Sequence, residues 1–346
     1  MTTFLLFQTA QLTKDPDITL WNTIWYSKSQ KIMSPTIIMD FIIPKKFEER
    51  YKDLADDSEK FFSCLESRLP KAFRVNTIKA DKKKVLDNFS QYGIEIKPVS
   101  WYPQAFIADN FSIGNSIEHF MGHIYIQELT SMLPAVVASA EISAKSLVLD
   151  ACAAPGSKTT QIAAFMENKG CIIANDIDYM RTKALKFNME KMGVLNTIIT
   201  NCDFRFFSFK NKFDIILLDS PCTSEGTIRK NKSVLSSWSE KKIFGMSRLQ
   251  KQFILKAFDL VKEDGLIIYS TCTFAPEENE EVIQHLLENR KDAKIERIKL
   301  DGFKLSSGID EWNGNSFSEE VKKSSRVWPH HNDTDGFFLA KIRKTL

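Results

Sequence analysis

The protein has 346 residues, of which 43% are hydrophobic and 26% are charged. At roughly 150 residues per domain, this length predicts two folded units, or one large unit with an appendage. The 26 phenylalanines and 13 glycines exclude a disordered, collagen-like or low-complexity chain. The net charge of +3 is too small to indicate nucleic-acid binding by itself, so any basic surface has to be local.

The cysteines and the apolar segments bear on the compartment. The six cysteines lie at least 19 positions apart and form no CxxC or zinc-knuckle pattern, so we expect free thiols in a reducing compartment. The opening MTTFLLF has an apolar run too short for a signal peptide and no basic residue before it. The apolar stretch 129–140 is shorter than the ~20 residues that a membrane-spanning helix requires. We therefore expect a cytoplasmic protein.

The N-terminal third is predicted to contain a small α+β domain. Residues 1–38 show no sustained hydrophobic period, which leaves two interpretations open: Met39 is the true translation start, or the segment forms a small helical cap. The patterns that follow are helical over 47–69, a strand over 72–79, a helix over 80–93 closed by Gly93, and a strand over 94–101. We assign residues 39–120 to this domain and 121–346 to a second one.

From Ser146 the chain alternates between short β-rich runs and helical stretches. Helices are expected over 157–168, 179–192, 240–262 and 276–290. Apolar runs that alternate with helices predict a doubly wound parallel sheet, which binds its ligands at the carboxyl ends of the strands. Residues with useful chemistry end these runs, namely Asp150 with Cys152, Asp176, Asp203, Asp219 with Cys222, and Cys272.

The turn after the first of these strands, DACAAPGSKT, predicts a cofactor loop. Pro155 and Gly156 allow a tight turn, and the helix that starts at Ser157 presents unpaired N–H groups to the crevice. The turn is neither a P-loop nor a GxGxxG loop. Taken singly, Asp176 and Asp203 are typical loop-capping residues. On consecutive strand ends they can accept from ribose hydroxyls and from an adenine amine, which indicates S-adenosylmethionine as the ligand.

Two cysteines follow neighbouring strand ends, in the stretches DSPC and TCT. A free cysteine is usually a small buried hydrophobe, and that interpretation is favoured for either one alone. Two thiols beside a methyl donor have a chemical task, because carbon 5 of a pyrimidine is a poor nucleophile. A thiolate that adds to carbon 6 converts the ring into an enamine, whose carbon 5 can attack a methyl sulfonium.

With these motifs the sequence resembles the Nop/Sun family of RNA cytosine-5 methyltransferases. The resemblance rests on DACAAPGSKT, DSPC and TCT, on RVNT (74–77), on QELTSM (127–132) and on the terminal RVWPH and DGFFLAKIRK. It extends from about Phe47 to the C-terminus and is closest to the short archaeal-type tRNA members. It implies a Rossmann-like class I methyltransferase domain with a seven-stranded mixed sheet, whose last strand is DGFFLAKIRK, after a smaller N-terminal α+β RNA-binding domain.

The resemblance also implies a role for individual positions. Cys272 would be the nucleophile, and Cys222 would assist release of the methylated base. Asp219 would hydrogen-bond the target cytosine near ring nitrogen 3, with Lys158 in the same pocket. The residues implied to hold S-adenosylmethionine are Cys152, Ala153, Ala154, Pro155, Gly156, Ser157, Lys158, Asp176, Arg181, Asp203 and Asp219. Read from its position alone, Lys158 could instead be a solvated lysine in the first turn of a helix.

The substrate is expected to be tRNA, with rRNA as the alternative. Basic side chains are candidates for RNA contact, and those just past DSPC are favoured: Arg74, Lys79, Lys82, Lys83, Lys84, Arg229, Lys230 and Lys232. Two other classes stay open. A DNA cytosine methyltransferase would use Cys222 as nucleophile and need a target-recognition domain that we do not find, and a non-catalytic RNA-binding assembly factor would need neither thiol.

Three further features are expected to carry no chemistry. No metal is expected, because His330 and His331 have no acid or thiol at metal spacing and are expected at the surface or facing RNA. The acidic run 277–281 is expected to form only a helix N-terminus. The phenylalanines of 204–209 are expected in the core. Neither membrane association nor an obligate protein partner is expected.

Overall fold

A computed structural model of the protein describes residues 43–108 and 113–346. Both interpretations of residues 1–38, and the alternative start at Met39, lie outside the described residues. Within the described ranges, no helix is long and apolar enough to cross a membrane.

The N-terminal part contains a small antiparallel sheet of four strands in the order β2-β3-β1-β4. Its elements are α1 (Lys45–Tyr51), α2 (Ser58–Glu66), β1 (Ala72–Val75), α3 (Lys82–Gln91), β2 (Lys97–Pro98), β3 (Ala105–Ile107), α4 (Ile117–Phe120) and β4 (Ile124–Ile126). Phe73, Phe89 and Phe106 pack against one another between sheet and α3. The predicted boundary after residue 120 stays a prediction, and β4, which lies beyond it, pairs with β1.

The C-terminal part is built on a nine-stranded sheet. Its strands are β5 (Leu147–Asp150), β6 (Cys171–Asn175), β7 (Thr197–Thr200), β8 (Phe213–Asp219), β9 (Val261–Thr271), β10 (Ala293–Glu296), β11 (Ser306–Ser307), β14 (Ser325–Val327) and β15 (Phe337–Lys344), and β12 (Glu311–Trp312) and β13 (Asn315–Ser316) form a separate hairpin. The helices are α5 (Leu129–Ser139), α6 (Ser157–Phe165), α7 (Tyr179–Met192), α8 (Ser233–Ser236), α9 (Glu240–Leu260), α10 (Glu280–Asn289) and α11 (Pro329–Asn332).

The strand order of the large sheet is β11-β14-β15-β9-β8-β5-β6-β7, with β10 also paired to β15. Strands β5 to β9 are parallel, and β15 lies antiparallel to β9. The predicted seven-stranded mixed sheet is therefore present from β14 to β7, and two short strands extend it. The last strand is the predicted DGFFLAKIRK segment, and it brings Gly336 beside the end of β9.

Local signals account for most helix ends. Helix α7 has the predicted bounds, because the Asp178 carboxylate accepts from the first-turn N–H groups and Gly193 ends the helix at φ +72°. The predicted helix 276–290 divides into a 3₁₀ turn, Pro276–Glu278, and α10. The expectation of a core position for the phenylalanines of 204–209 holds for Phe204 and Phe207, whereas Phe206 is 79% exposed.

Candidate active site

A cavity of about 620 Å³ opens at the carboxyl ends of the parallel strands. Its lining combines the cofactor loop with acids from β5 and β8 and with residues of the N-terminal part. The predicted site residues among them are Cys152, Ala153, Ala154, Pro155, Ser157, Lys158 and Asp219. Asp150, Glu128, Ser131 and Tyr125 line it as well.

The two predicted catalytic thiols meet at neighbouring strand ends. Cys222 Sγ lies 3.3 Å from Cys272 Sγ, because β8 and β9 are adjacent parallel strands. The Cys222 S–H donates to Cys272 and thereby lowers the pKa of Cys272, and the charge of Lys158 acts in the same direction. The same hydrogen bond, together with burial, raises the pKa of Cys222. The pair is thus polarised, with Cys272 as the thiolate and Cys222 as its protonated donor.

Lys158 and Asp219 form an ion pair beside these thiols. Lys158 Nζ lies 2.7 Å from Asp219 Oδ2 and 3.2 Å from Ser131 Oγ. The hydroxyl of Ser270 donates to the other oxygen of Asp219 at 2.8 Å. Lys158 is 7% exposed, so the interpretation as a solvated first-turn lysine is wrong. Burial lowers the pKa of Lys158, but the Asp219 carboxylate outweighs it and raises the pKa above its usual value.

A chain of buried hydrogen bonds joins the residues that follow the two thiols. Thr223 Oγ1 lies 2.9 Å from Thr273 Oγ1. Glu278 accepts from the backbone N–H of Thr223 at 3.0 Å, and Glu225 accepts from the hydroxyl of Thr273 at 2.8 Å. Tyr51 of α1 donates to Glu225 at 2.7 Å. The network fixes the Cys222 loop to the end of β9, which holds the two sulfur atoms together.

The acidic run 277–281 has a larger role than the predicted helix N-terminus. Glu277, Glu278 and Glu280 are all buried, and burial raises the pKa of Glu278 to about 8. Arg50 pairs with Glu277, and Arg326 Nε donates to Glu280 at 2.6 Å. No sequence signal separates these acids from ordinary helix-capping ones, because their partners lie 46 and 227 positions away.

The predicted cofactor residues meet at the ends of β5 and β6. Asp176 Oδ2 accepts from Ala154 N at 3.1 Å, and the Arg181 guanidinium donates to Ala154 O at 2.5 Å. Gly156 has φ +103°, and a Cβ there would lie 2.8 Å from Leu185 Cδ1, so only glycine suits this position. Asp203, at the end of β7, is already bound by the side chain and backbone of Arg205.

The loop has the donors and acceptors that S-adenosylmethionine requires. Helix α6 begins without a side-chain cap, so its first N–H groups stay available. Asp150 Oδ1 is buried and has no hydrogen-bond donor among the described residues, although Asp150 lines the cavity. An unpaired acceptor of this kind suits the ammonium group of a methionine moiety. Burial raises the pKa of Asp150 to about 6, and a bound cation would lower it.

Two of the basic residues expected to contact RNA serve the fold instead. Arg74 is fully buried and donates to Gln127 Oε1 at 2.9 Å and to Ser157 O at 3.1 Å. Arg229 is 5% exposed and binds backbone and side-chain oxygens. The expectation of RNA contact is wrong for both, because their guanidinium groups are consumed by long-range partners. Lys230, next to Arg229, is exposed and lines the cavity.

The two histidines are not simple surface residues either. His330 Nε2 and His331 Nε2 lie 2.9 and 2.8 Å from the two carboxylate oxygens of Asp56. The three side chains form a group with metal-ligand geometry, so the premise that no acid stands near these histidines is wrong. Lys304 Nζ lies 3.0 Å from His331 Nε2 and already supplies a positive charge there.

Comparison with known families matches both parts of the chain. The model for the 16S rRNA methyltransferase RsmB/F family matches residues 138–343, and that for the N-terminal domain of 16S rRNA methyltransferase RsmF matches residues 43–129. A tRNA (cytosine(49)-C(5))-methyltransferase of Pyrococcus abyssi is 44% identical over 306 residues, which cover 87% of this chain and 96% of that protein. The ribosomal RNA small subunit methyltransferase F of Pectobacterium atrosepticum is 37% identical, but the match covers 63% of its length.

Solved structures agree with this assignment. A methyltransferase homologue from Pyrococcus horikoshii superposes with a TM-score of 0.78 at 34% identity and covers 88% of this chain and 96% of its own. NSun6 from the same organism, solved with SFG, an analogue of S-adenosylmethionine, gives a TM-score of 0.77 at 25% identity, with 88% and 98% covered. The chain therefore belongs to the RsmB/F, or Nop/Sun, family of S-adenosylmethionine-dependent RNA methyltransferases.

Proposed function

We propose that the protein methylates carbon 5 of a cytosine in tRNA through a covalent adduct between Cys272 and carbon 6 of the base. The observation that carries the proposal is the polarised thiol pair, in which Cys222 lies 3.3 Å from Cys272 and donates to it. The Lys158–Asp219 ion pair beside the thiols supplies the polar groups that a cytosine ring would need.

The first half of the reaction makes carbon 5 nucleophilic. The Cys272 thiolate forms a bond to carbon 6, and the electron pair of the 5,6 double bond becomes available at carbon 5. Asp219 hydrogen-bonds the ring near nitrogen 3, and the adjacent Lys158 ammonium stabilises the negative charge that the ring gains. S-adenosylmethionine, held by the loop 152–158 with Asp176 and Arg181, supplies the electrophilic methyl group when bound.

The second half releases the product, and here Cys222 acts. Once Cys272 sulfur is bonded to carbon, the thiolate that raised the pKa of Cys222 no longer exists, so Cys222 can lose its proton more easily. Cys222 then removes the proton from carbon 5. The electron pair of that bond re-forms the 5,6 double bond, and the bond between Cys272 and carbon 6 breaks to return the thiolate.

The polarity of the pair also weighs against the other functions. A DNA-type cytosine methyltransferase would use the Pro-Cys thiol, Cys222, as nucleophile, and the pKa of that thiol is raised. An RNA-binding assembly factor would not need a buried network that fixes two thiols. Among RNA targets, tRNA is favoured because the relative named for tRNA is matched over 96% of its length, whereas the rRNA relatives extend well beyond the match.

Bisulfite sequencing tests this function directly. An equimolar mixture of unmodified tRNA transcripts and 16S rRNA is incubated with the protein and S-adenosylmethionine, with Cys272→Ala as the matched control. We expect bisulfite-resistant cytosines in tRNA with the wild-type protein alone. Resistance confined to rRNA would favour the second candidate substrate. Resistance in neither RNA, from a protein that binds S-adenosylmethionine, would contradict cytosine-5 methylation.

A further inference from the structure

Three unpaired cations surround the mouth of the cavity. Arg68, Lys71 and Lys230 are exposed and line the same cavity, although they come from the turn after α2, from the residue before β1 and from the loop after β8. Among the described residues, none of the three forms an ion pair. This sets them apart from Lys158 deeper in the cavity, whose charge is matched by Asp219.

The backbone beneath these cations is held rigidly. The buried Arg229 guanidinium donates to the carbonyl of Arg68 at 3.0 Å and to the hydroxyl of Ser67 at 3.0 Å. Because Lys230 directly follows Arg229, this contact keeps Arg68 and Lys230 on the same side of the cavity. Lys71 O accepts from Ala108 N at 2.9 Å, which fixes the third position at the start of β1.

The acids that line the cavity do not neutralise this rim. Asp219 is paired with Lys158, and Asp150 accepts from the hydroxyl of Thr159. Glu128 caps α5 through the N–H groups of Thr130 and Ser131 and accepts from Asp335 N. Three like charges held around one opening repel one another, and an anion bound between them removes that repulsion.

We infer that Arg68, Lys71 and Lys230 bind the RNA phosphates that flank the target cytosine. The inference rests on the proposed function, which requires a base to leave its stack and enter the cavity that these cations surround. A phosphate group on either side of the flipped nucleotide passes the cavity mouth, where flexible basic side chains can reach it. Contacts of this kind position the RNA without reading its sequence.

The salt dependence of RNA binding tests the inference. The variant Arg68→Gln/Lys71→Gln/Lys230→Gln is compared with Lys210→Gln/Lys241→Gln/Lys242→Gln, which removes the same charge from exposed lysines outside the cavity lining. A fluorescein-labelled tRNA transcript is titrated by anisotropy across a KCl series. The rim variant should lower the slope of log affinity against log salt by roughly 2 to 3, at about 0.7–0.9 per phosphate contact. The control variant should leave the slope unchanged.

Two further readouts make every outcome decisive. S-adenosylmethionine affinity, measured by calorimetry, should be the same in all three proteins, and a loss confined to the rim variant would assign the cations to the cofactor carboxylate and overturn the inference. Equal slopes in the rim and control variants would overturn it as well. Cytosine methylation by the wild-type protein is measured separately, so an inactive wild type with the expected slopes refutes the proposed function and leaves the rim in place.

Discussion

The two halves of the sheet edge differ in how complete they are. At the ends of β8 and β9, the thiols, Lys158 and Asp219 are already bound to one another and to buried acids behind them. At the ends of β6 and β7, the neighbouring side chains are open to solvent, with Ile177 62% and Phe206 79% exposed. We call these the chemical half and the cofactor half.

This contrast shows where each half obtains its order. The chemical half is preorganised by protein groups, because a thiolate and an ion pair have to be in place before the base arrives. The cofactor half has acceptors with capacity left over, such as Asp176, and is completed when its ligand binds. Substitutions in the chemical half should therefore reduce the rate without changing cofactor affinity, and substitutions in the cofactor half should do the reverse.

Cys272→Ala should have the largest effect on the rate. Without this thiol no adduct forms at carbon 6, so methyl transfer should fall by at least about 10⁴-fold. Binding of S-adenosylmethionine and RNA should persist, which calorimetry and anisotropy check. Substantial methylation by Cys272→Ala would remove this residue from the chemical half.

Lys158→Met should reduce the rate by about 10²-fold. The change leaves the Asp219 carboxylate unpaired and removes a charge that lowers the pKa of Cys272. The acid limb of the single-turnover pH profile should therefore move to higher pH, because Cys272 needs a higher pH to form the thiolate. A normal rate with weakened S-adenosylmethionine binding would instead assign Lys158 to the cofactor half.

Asp176→Ala should weaken S-adenosylmethionine binding and leave the rate at saturating cofactor nearly unchanged. The loss of a buried acceptor costs about 1–3 kcal/mol, or roughly 5- to 150-fold in Kd. Asp214→Ala is the matched control, because Asp214 accepts from Leu147 N at the opposite end of the same sheet. Equal Kd values for wild type and Asp176→Ala would show that Asp176 does not hold the cofactor.

Thr273→Val should have the smallest effect, a fall of about 10-fold in the rate. It removes the hydroxyl that joins Thr223 to Glu225, so the two sulfur atoms lose their fixed separation. Thr273→Ser should restore the rate, and Thr182→Val, a buried threonine in α7, should not change it. If serine fails to rescue, the side chain acts by packing and not by its hydrogen bonds.

Much of this arrangement could be predicted because it depends on local patterns. Strand ends of a parallel sheet lie at one edge, so Cys222 and Cys272 could be placed together from the sequence alone. Asp178 and Gly193 are local helix signals, and they give α7 the bounds that were predicted. The cofactor loop has its glycine where a left-handed turn requires one.

The rest depends on partners that are distant in sequence. Arg74 and Arg229 look like surface cations, yet their acceptors lie at positions 127, 157, 68 and 334. Asp56 reaches the histidine pair across 274 positions. A single sequence carries no signal for such pairs, because burial of a charged side chain depends on which oxygens the fold brings to it.

The polarity of the thiol pair is the central claim, and covalent trapping tests it most directly. Cys222→Ala, Cys272→Ala and the double variant are incubated with tRNA and S-adenosylmethionine and separated by denaturing electrophoresis. Cys222→Ala should accumulate a protein–RNA species, because the adduct forms and its release stalls. Cys272→Ala and the double variant should form none. A trapped species in Cys272→Ala that is absent from Cys222→Ala would exchange the roles of the two cysteines and contradict the polarity found here.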